Sequence, residues 1–309
     1  MSDKIEDIIG YPSLEFVTNQ DVEGFITGLH KSPFHGFSVE FAEHRLYNVG
    51  ESTKNIDWKL YAKTDKFFVK KYEEETNLRC LLVVDNSSSM LFPIDKESSF
   101  SNPNKITFAS YACGVLVQML SRQRDAFGLS LISDKIDLIT DIKSNFGHKK
   151  YIFTLLEQLL KPYNKDNKLQ TDIAPILHQL AEQVHRRSLI IIFTDLLSLK
   201  SDEKELISSL QHFKHSKHEV IFFYVNDQQK EIDLDYNNRP YRFIDIETSE
   251  VIKLNPQEIR KAYKEAIESK IRSIKTSCEN IRIDFVEADI NKGFNQILLP
   301  YIIKRTKMH

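Results

Sequence analysis

The chain has 309 residues, 41% of them hydrophobic and 28% charged, which allows a large buried core in one α/β domain, or one domain plus a small appendage. A formal net charge of −2 argues against a general nucleic-acid-binding role, since that usually needs a basic face. The longest apolar runs, such as Leu189 to Phe193, are far too short to cross a bilayer.

In chain order, the opening Met-Ser-Asp-Lys-Ile-Glu-Asp carries early acids and lacks a signal-peptide apolar core, so the expected location is the cytoplasm. Residues 1–77 look unlike the rest. Gly24 to Gly36 and Asn48 to Thr53 are turn-rich, and Phe67-Phe68-Val69-Lys70-Lys71-Tyr72 reads as a strand running into the acidic turn Glu73-Glu74-Glu75. This part is expected to be an N-terminal appendage on a sheet domain spanning 78–309.

From about residue 78, strands alternate with helices. Short apolar runs at Cys80–Val84, Phe127–Ile132, Leu189–Phe193 and Val220–Val225 are candidate buried strands of a parallel sheet. Ile281-Arg282-Ile283-Asp284-Phe285 alternates instead, as a strand nearer an edge would. Ile106 to Leu120 is apolar almost all round and implies a helix covered on most sides. Ile173, Ile176, Leu177, Leu180, Ala181 and Val184 form one stripe at 3.6-residue spacing, with Pro175 inside the first turn. Asn255-Pro256-Gln257-Glu258 supplies an N-cap, a Pro at the first helical position and a box-like Glu, and the stripe from Ile259 to Ile274 follows. The pattern predicts a doubly wound, mostly parallel α/β sheet of Rossmann-type topology, in which ligands bind beyond the carboxyl ends of the strands.

Two carboxylates fall at such ends. Leu81-Leu82-Val83-Val84 stops abruptly in Asp85-Asn86-Ser87-Ser88-Ser89, and Ile190-Ile191-Ile192-Phe193-Thr194 stops in Asp195. Strand periodicity is two, so the side chains at 85, 87 and 89 can share a direction as the chain leaves the sheet. One carboxylate and neutral hydroxyls form an oxygen-only set suited to a hard, small dication, Mg²⁺ or Mn²⁺. Asp85-x-Ser87-x-Ser89, then Thr171-Asp172 before the striped helix, then Thr194-Asp195, together resemble the metal-ion-dependent adhesion site of von Willebrand factor A domains. That resemblance implies Ser87, Ser89 and Thr171 as direct ligands, and Asp85 and Asp195 as outer-sphere or weakly bound carboxylates. Neutral inner ligands leave the ion much of its charge, so an open position attracts a carboxylate from a partner protein. Such chemistry is binding rather than turnover.

Phe37-Ser38-Val39-Glu40-Phe41-Ala42-Glu43-His44-Arg45-Leu46-Tyr47-Asn48-Val49-Gly50, followed by Ile56-Asp57-Trp58 and Ala62, is similar to the signature of the bacterial family called domain of unknown function fifty-eight. Its members join that signature to a von Willebrand A-like domain. The resemblance implies a protein partner, a MoxR-type AAA+ ATPase, and a role in assembling or activating other proteins. Departures are Glu51-Ser52 where an acidic pair is usual, and Lys54 and Lys63 where arginines are common. Glu40, Arg45, Tyr47 and Asp57 are expected to form a buried network holding the appendage, and Trp58 to be core.

The rival function is a metal-dependent phosphoester hydrolase using Asp85. Phosphoaspartate hydrolases want a second Asp two positions on, where Ser87 stands, and the chain has no Gly-rich phosphate loop, Gly-x-Ser-x-Gly elbow or His-Glu-x-x-His motif. Cys80, Cys113 and Cys278 read as buried reduced thiols. His212, His215 and His218 read as a solvated helix end, and Lys304-Arg305-Thr306-Lys307 as a solvated helix terminus.

Overall fold

The computed structural model describes residues 14–30, 44–46, 58–70, 78–94, 98–99, 102–161, 172–196, 203–246 and 250–308. Two compact units are present: residues up to Val22 together with Leu78–His309, and Glu23–Asn77. In the smaller unit, β1 (His44–Leu46) pairs antiparallel with β2 (Phe68–Lys70), and α2 (Trp58–Thr64) precedes β2. The rings of Tyr61 and Phe67 stack at 4.4 Å. Glu40, Tyr47 and Asp57 lie outside the described residues, as do the side chains of Arg45 and Trp58.

The larger unit is built on a six-stranded sheet. Its strands are β3 (Arg79–Asp85), β4 (Ala126–Ile132), β5 (Ile136–Ile139), β6 (Leu189–Thr194), β7 (Glu219–Asn226) and β10 (Asp284–Asp289), in the order β10-β7-β6-β3-β4-β5. All neighbours are parallel except β4 and β5. The four apolar runs of the sequence become β3, β4, β6 and β7, buried on both faces. Helices cover both faces, as the doubly wound expectation requires. On one face, Leu81, Val83, Ile190, Ile192, Val220 and Phe222 meet α5 (Ile173–Gln183), α6 (Glu203–His215) and α7 (Pro256–Asn280). Residues one register on point the other way. There α3 (Lys105–Arg122), apolar all round in sequence and buried from Lys105 to Leu120, packs on β3, β4 and β7.

The edge strand expected at Ile281–Phe285 is β10, which starts three residues later. Helix α7 runs to Asn280, and Arg282 takes φ 59° to close it, with the N–H of Ile283 bonded to the carbonyl of Cys278 at 2.9 Å. The short β5 and the hairpin of β8 (Tyr241–Ile244) and β9 (Val251–Leu254) have four residues each, too few for a periodic pattern to stand out.

Helix α1 (Leu14–His30) begins on α3 and α4 (Phe146–Leu159). The N–H of Leu14 bonds Glu157 at 3.1 Å, Gln118 donates to the carbonyl of Glu15 at 3.0 Å, and Lys149 pairs with Glu15 at 3.1 Å. A side chain at Gly114 would press on Thr18 and Phe153, so this glycine permits the close approach.

Lys304 and Arg305 of the basic tail are not solvated, and the side chains of Thr306 and Lys307 lie outside the described residues. Helix α8 (Asn295–Met308) packs on β7 and β10, and Lys304 is buried between Glu219 at 2.7 Å and Asp284 at 3.1 Å. Arg305 pairs with Asp125, which also accepts the N–H of Leu78 at 3.0 Å. Asp125 is buried, so Arg305→Ala leaves a carboxylate short of its cation and should cost about 2 kcal/mol. A urea titration checks it, and a change below about 0.5 kcal/mol would show that the pair is idle.

The histidines also differ from expectation. His215 is exposed at the end of α6, but His212 brings its Nδ1 to 3.3 Å from Nδ1 of His178 on α5. His218 is buried, with Nδ1 accepting the N–H of Ser188 at 3.2 Å and Nε2 without a partner. Burial holds its pKa below the ordinary value. Three-residue spacing did not reveal that the helix stops at 215 and that 218 follows the turn, directly before β7. All three cysteines are free and buried, as expected of reduced thiols, and burial pushes the Cys278 thiol up to about 12.

Candidate functional site

The strand order sets the location. From β3 the chain winds outward through β4 and β5, then returns to the other side of β3 for β6, β7 and β10. The winding reverses between β3 and β6, and the crevice beyond their carboxyl ends is where open α/β sheets hold ligands. Asp85 is the last residue of β3, and Asp195 follows the last residue of β6. Both are fully buried.

Beyond Asp85 the chain does not pass straight into the long helix. A 3₁₀ turn spans Ser88–Leu91 with Ser87 at its N-cap, and Ser87 makes no side-chain capping bond. The serine hydroxyls are turned on one another, Ser87 Oγ and Ser89 Oγ being 2.9 Å apart and buried. The Asp85 carboxylate is held from two sides. Its Oδ1 accepts the N–H of Ser87 at 2.9 Å, and its Oδ2 accepts the hydroxyl of Thr194 at 2.7 Å. Thr194 thereby ties the ends of β3 and β6 together. Burial, then the charge of Asp195, push the Asp85 carboxyl up to about 6 against the pull of these hydrogen bonds.

Two further charged residues meet this rim. Lys105, the first residue of α3, is fully buried, and its Nζ lies 2.6 Å from Asp195 Oδ2 and 2.6 Å from Glu231 Oε1. Glu231 comes from a π-helical turn (Gln228–Ile232) just after β7, and its Oε2 accepts the N–H of Asp227 at 2.8 Å. Burial alone would lower the Lys105 pKa, but Asp195 and Glu231 outweigh it and raise it. Burial raises Glu231, against the pull of Lys105.

Asp85, Ser87, Ser89 and Asp195 are thus gathered at one rim, while Thr171 lies outside the described residues. Asp172 is the N-cap of α5 and makes no side-chain capping bond. Lys105 and Glu231 were not anticipated from the sequence. One signal was available: a lysine adjoining a helix apolar on all sides must be buried with it, and a buried ammonium needs a carboxylate.

The donor set can be tested against a small dication. Neighbouring ligands in a Mg²⁺ octahedron at about 2.1 Å lie about 3.0 Å apart, and the two serine oxygens are 2.9 Å apart. Three buried carboxylates (Asp85, Asp195, Glu231) and one buried ammonium (Lys105, paired with the latter two) stand at this rim, so the fully ionised cluster has two negative charges in excess. A dication cancels them. Among the described residues no three His, Cys, Asp or Glu side chains are placed to hold a metal ion by themselves.

A model of the family described as "Protein of unknown function DUF58" matches residues 43–273. An uncharacterized protein of Mycobacterium tuberculosis (strain ATCC 25618 / H37Rv) is 24% identical over 185 residues, 60% of this chain and 56% of the relative. The chain therefore spans little more than half the length of the curated relatives it matches. Among solved structures, the conserved hypothetical protein BatB from Bacteroides thetaiotaomicron is 14% identical, covering 75% of this chain and 100% of that one at a TM-score of 0.45. An aerotolerance-related membrane protein from Bacteroides fragilis NCTC 9343, with multiple mutations to serines, is 16% identical over 74% of this chain and 99% of that one, also at 0.45. The SpRpn10 VWA domain is 14% identical over 48% and 76%, at 0.34.

The cytoplasmic location expected from the opening residues is corrected by these neighbours. The Bacteroides fragilis structure is of a membrane protein, and another similar structure is of an uncharacterized membrane spanning protein from Vibrio fischeri. A few early acids describe only their own segment and assign no compartment. Among the described residues no helix is long and apolar enough to cross a membrane.

Proposed function

The chain belongs to the DUF58 family, and from that premise we propose that its sheet unit is a protein-interaction module working through a divalent cation, Mg²⁺ or Mn²⁺, at the β3–β6 rim. Ser87 and Ser89 ligate the ion directly, with Thr171 as a third hydroxyl ligand, and Asp85 and Asp195 act from the outer sphere. The observation that carries this reading is the buried serine pair, with oxygens one octahedral edge apart beside an excess of negative charge. The ion supplies an electrophilic point for an acidic side chain of the partner. Both Asp85 oxygens already accept hydrogen bonds from this chain, which suits a carboxylate that orients others. That engagement also counts against the hydrolase reading, because an attacking carboxylate needs a free, accessible oxygen. The partner proposed is a MoxR-type AAA+ ATPase, supported by the family signature alone.

Calorimetric titration with Mg²⁺ and with Mn²⁺ is expected to show one site per chain, with affinity at least tenfold weaker in Ser87→Ala. Equal affinity in wild type and Ser87→Ala would remove the serine pair from the site. Affinity capture from the native cell, with and without chelator, tests the partner: an AAA+ ATPase should be retained only when the cation is present. Hydrolysis of generic phosphoesters that is lost in Asp85→Ala would reverse the choice between module and enzyme.

A further inference from the structure

Lys105 and Glu231 belong to no part of the serine-threonine-aspartate pattern, yet they are bound into the rim more tightly than its proposed ligands. The Lys105 ammonium touches both Asp195 and Glu231 at 2.6 Å. Its position is fixed from both ends. The backbone N–H of Lys105 bonds the carbonyl of Phe92 at 3.0 Å, at the start of a helix whose N-cap Asn104 accepts the N–H of Thr107 at 2.9 Å. At the other end, Glu231 is anchored through its second oxygen to the backbone of Asp227. A cation in the first turn of a helix opposes the helix dipole, so local helix stability does not explain a lysine here.

What the lysine does is engage Asp195. Left alone, a buried carboxylate beside Asp85 would turn onto any dication bound at the rim. Direct ligation by a carboxylate quenches the charge that an acidic partner group would otherwise meet. We propose that Lys105 is a positioning residue that withholds Asp195 from the inner sphere of the cation, so that hydroxyls hold the ion and its charge is kept for the partner. The inference rests on the reading of the rim as a divalent-cation site, and it adds a residue that sets how tightly the ion is held and how much charge it presents.

The double variant Lys105→Met/Glu231→Gln tests it. One positive and one negative charge are removed together, so the formal charge of the cluster is unchanged while the Lys105 tether on Asp195 is lost. Mn²⁺ affinity is measured by calorimetry, and the number of fast-exchanging waters on bound Mn²⁺ by water-proton relaxation. The expected result is binding at least fivefold tighter, with one exchanging water fewer, because Asp195 takes that position. A merely structural role for Lys105 would weaken binding or leave it unchanged, and a folded variant with either result overturns the inference. Lys105→Leu/Glu231→Gln, which likewise leaves no donor at position 105 for Asp195, is the second variant should the first fail to fold. Wild-type protein that takes up neither Mg²⁺ nor Mn²⁺ sinks the cation reading and this inference together. Uptake by wild type without tightening in the variants sinks the inference alone.

Discussion

Lys105→Met as a single substitution is expected to lower the unfolding free energy by about 3–5 kcal/mol, because it removes one partner from a buried ionic cluster. Lys105 and Asp195 have no solvent exposure and Glu231 almost none, so water cannot take over the role of the ammonium. Two carboxylates would stay in the interior facing each other and Asp85. The loss corresponds to a fall of about 5–8 °C in melting temperature for a chain of this size. The triple variant Lys105→Met/Asp195→Asn/Glu231→Gln should recover most of it, since buried ion pairs replaced as a set are often neutral to stability. Thermal and urea unfolding in the presence of chelator checks both. A single variant within about 1 kcal/mol of wild type would mean that the cluster relaxes into solvent, contrary to its burial.

Metal-free protein is expected to lose stability as pH rises from about 4 to about 6. The Asp85 carboxyl is held near 6 in the fold, against an ordinary value of 3.8. Between those values the folded chain binds more protons than the unfolded one, so stability falls with rising pH. Below about 4 the group is protonated in both states and costs nothing. Above about 6 it is ionised in both states and the full cost, about 3 kcal/mol, is present. Asp85→Asn should flatten this slope and leave the chelated protein more stable than wild type at pH 7. Asparagine can still accept the N–H of Ser87, so the loop geometry survives the change. The cation is expected to reverse the effect, because the ionised outer-sphere carboxylate attracts the ion and affinity should fall as pH drops below about 6. Urea titrations of both proteins at pH 4, 5, 6 and 7 would expose a failure: parallel slopes mean that Asp85 is not the titrating group.

Both expectations concern charges buried at one rim, and the sequence showed that rim unevenly. Asp85, Ser87, Ser89 and Asp195 were legible because each lies within a few residues of an apolar run whose end marks the end of a strand. The break in periodicity is local, and so is its signal. Lys105 and Glu231 lie 90 and 126 positions respectively from the partners they meet. Lys105 could be read as buried from the apolar helix it opens, but nothing in Asn-Lys-Ile or Gln-Lys-Glu-Ile says which charge meets which. The same holds for Lys304 and Arg305, which open a basic run in the chain but whose neighbours in space are Glu219, Asp284 and Asp125. His218 was misread for a related reason, since its spacing from His215 looks helical although the helix has already stopped.

The sequence by itself determined the layering of this protein. Short apolar runs bounded by turns read as strands buried on both faces, helical stripes cover them, and their alternation points to parallel strands joined by crossovers. It also placed Asp85, Ser87, Ser89 and Asp195 at the carboxyl ends of those strands. Tertiary structure alone decided where the winding reverses, which strands therefore stand side by side at the rim, and which distant charges close over it. Periodicity is carried by neighbours in the chain, whereas charge pairing in a low-dielectric interior is carried by neighbours in space, and only folding brings the second kind together.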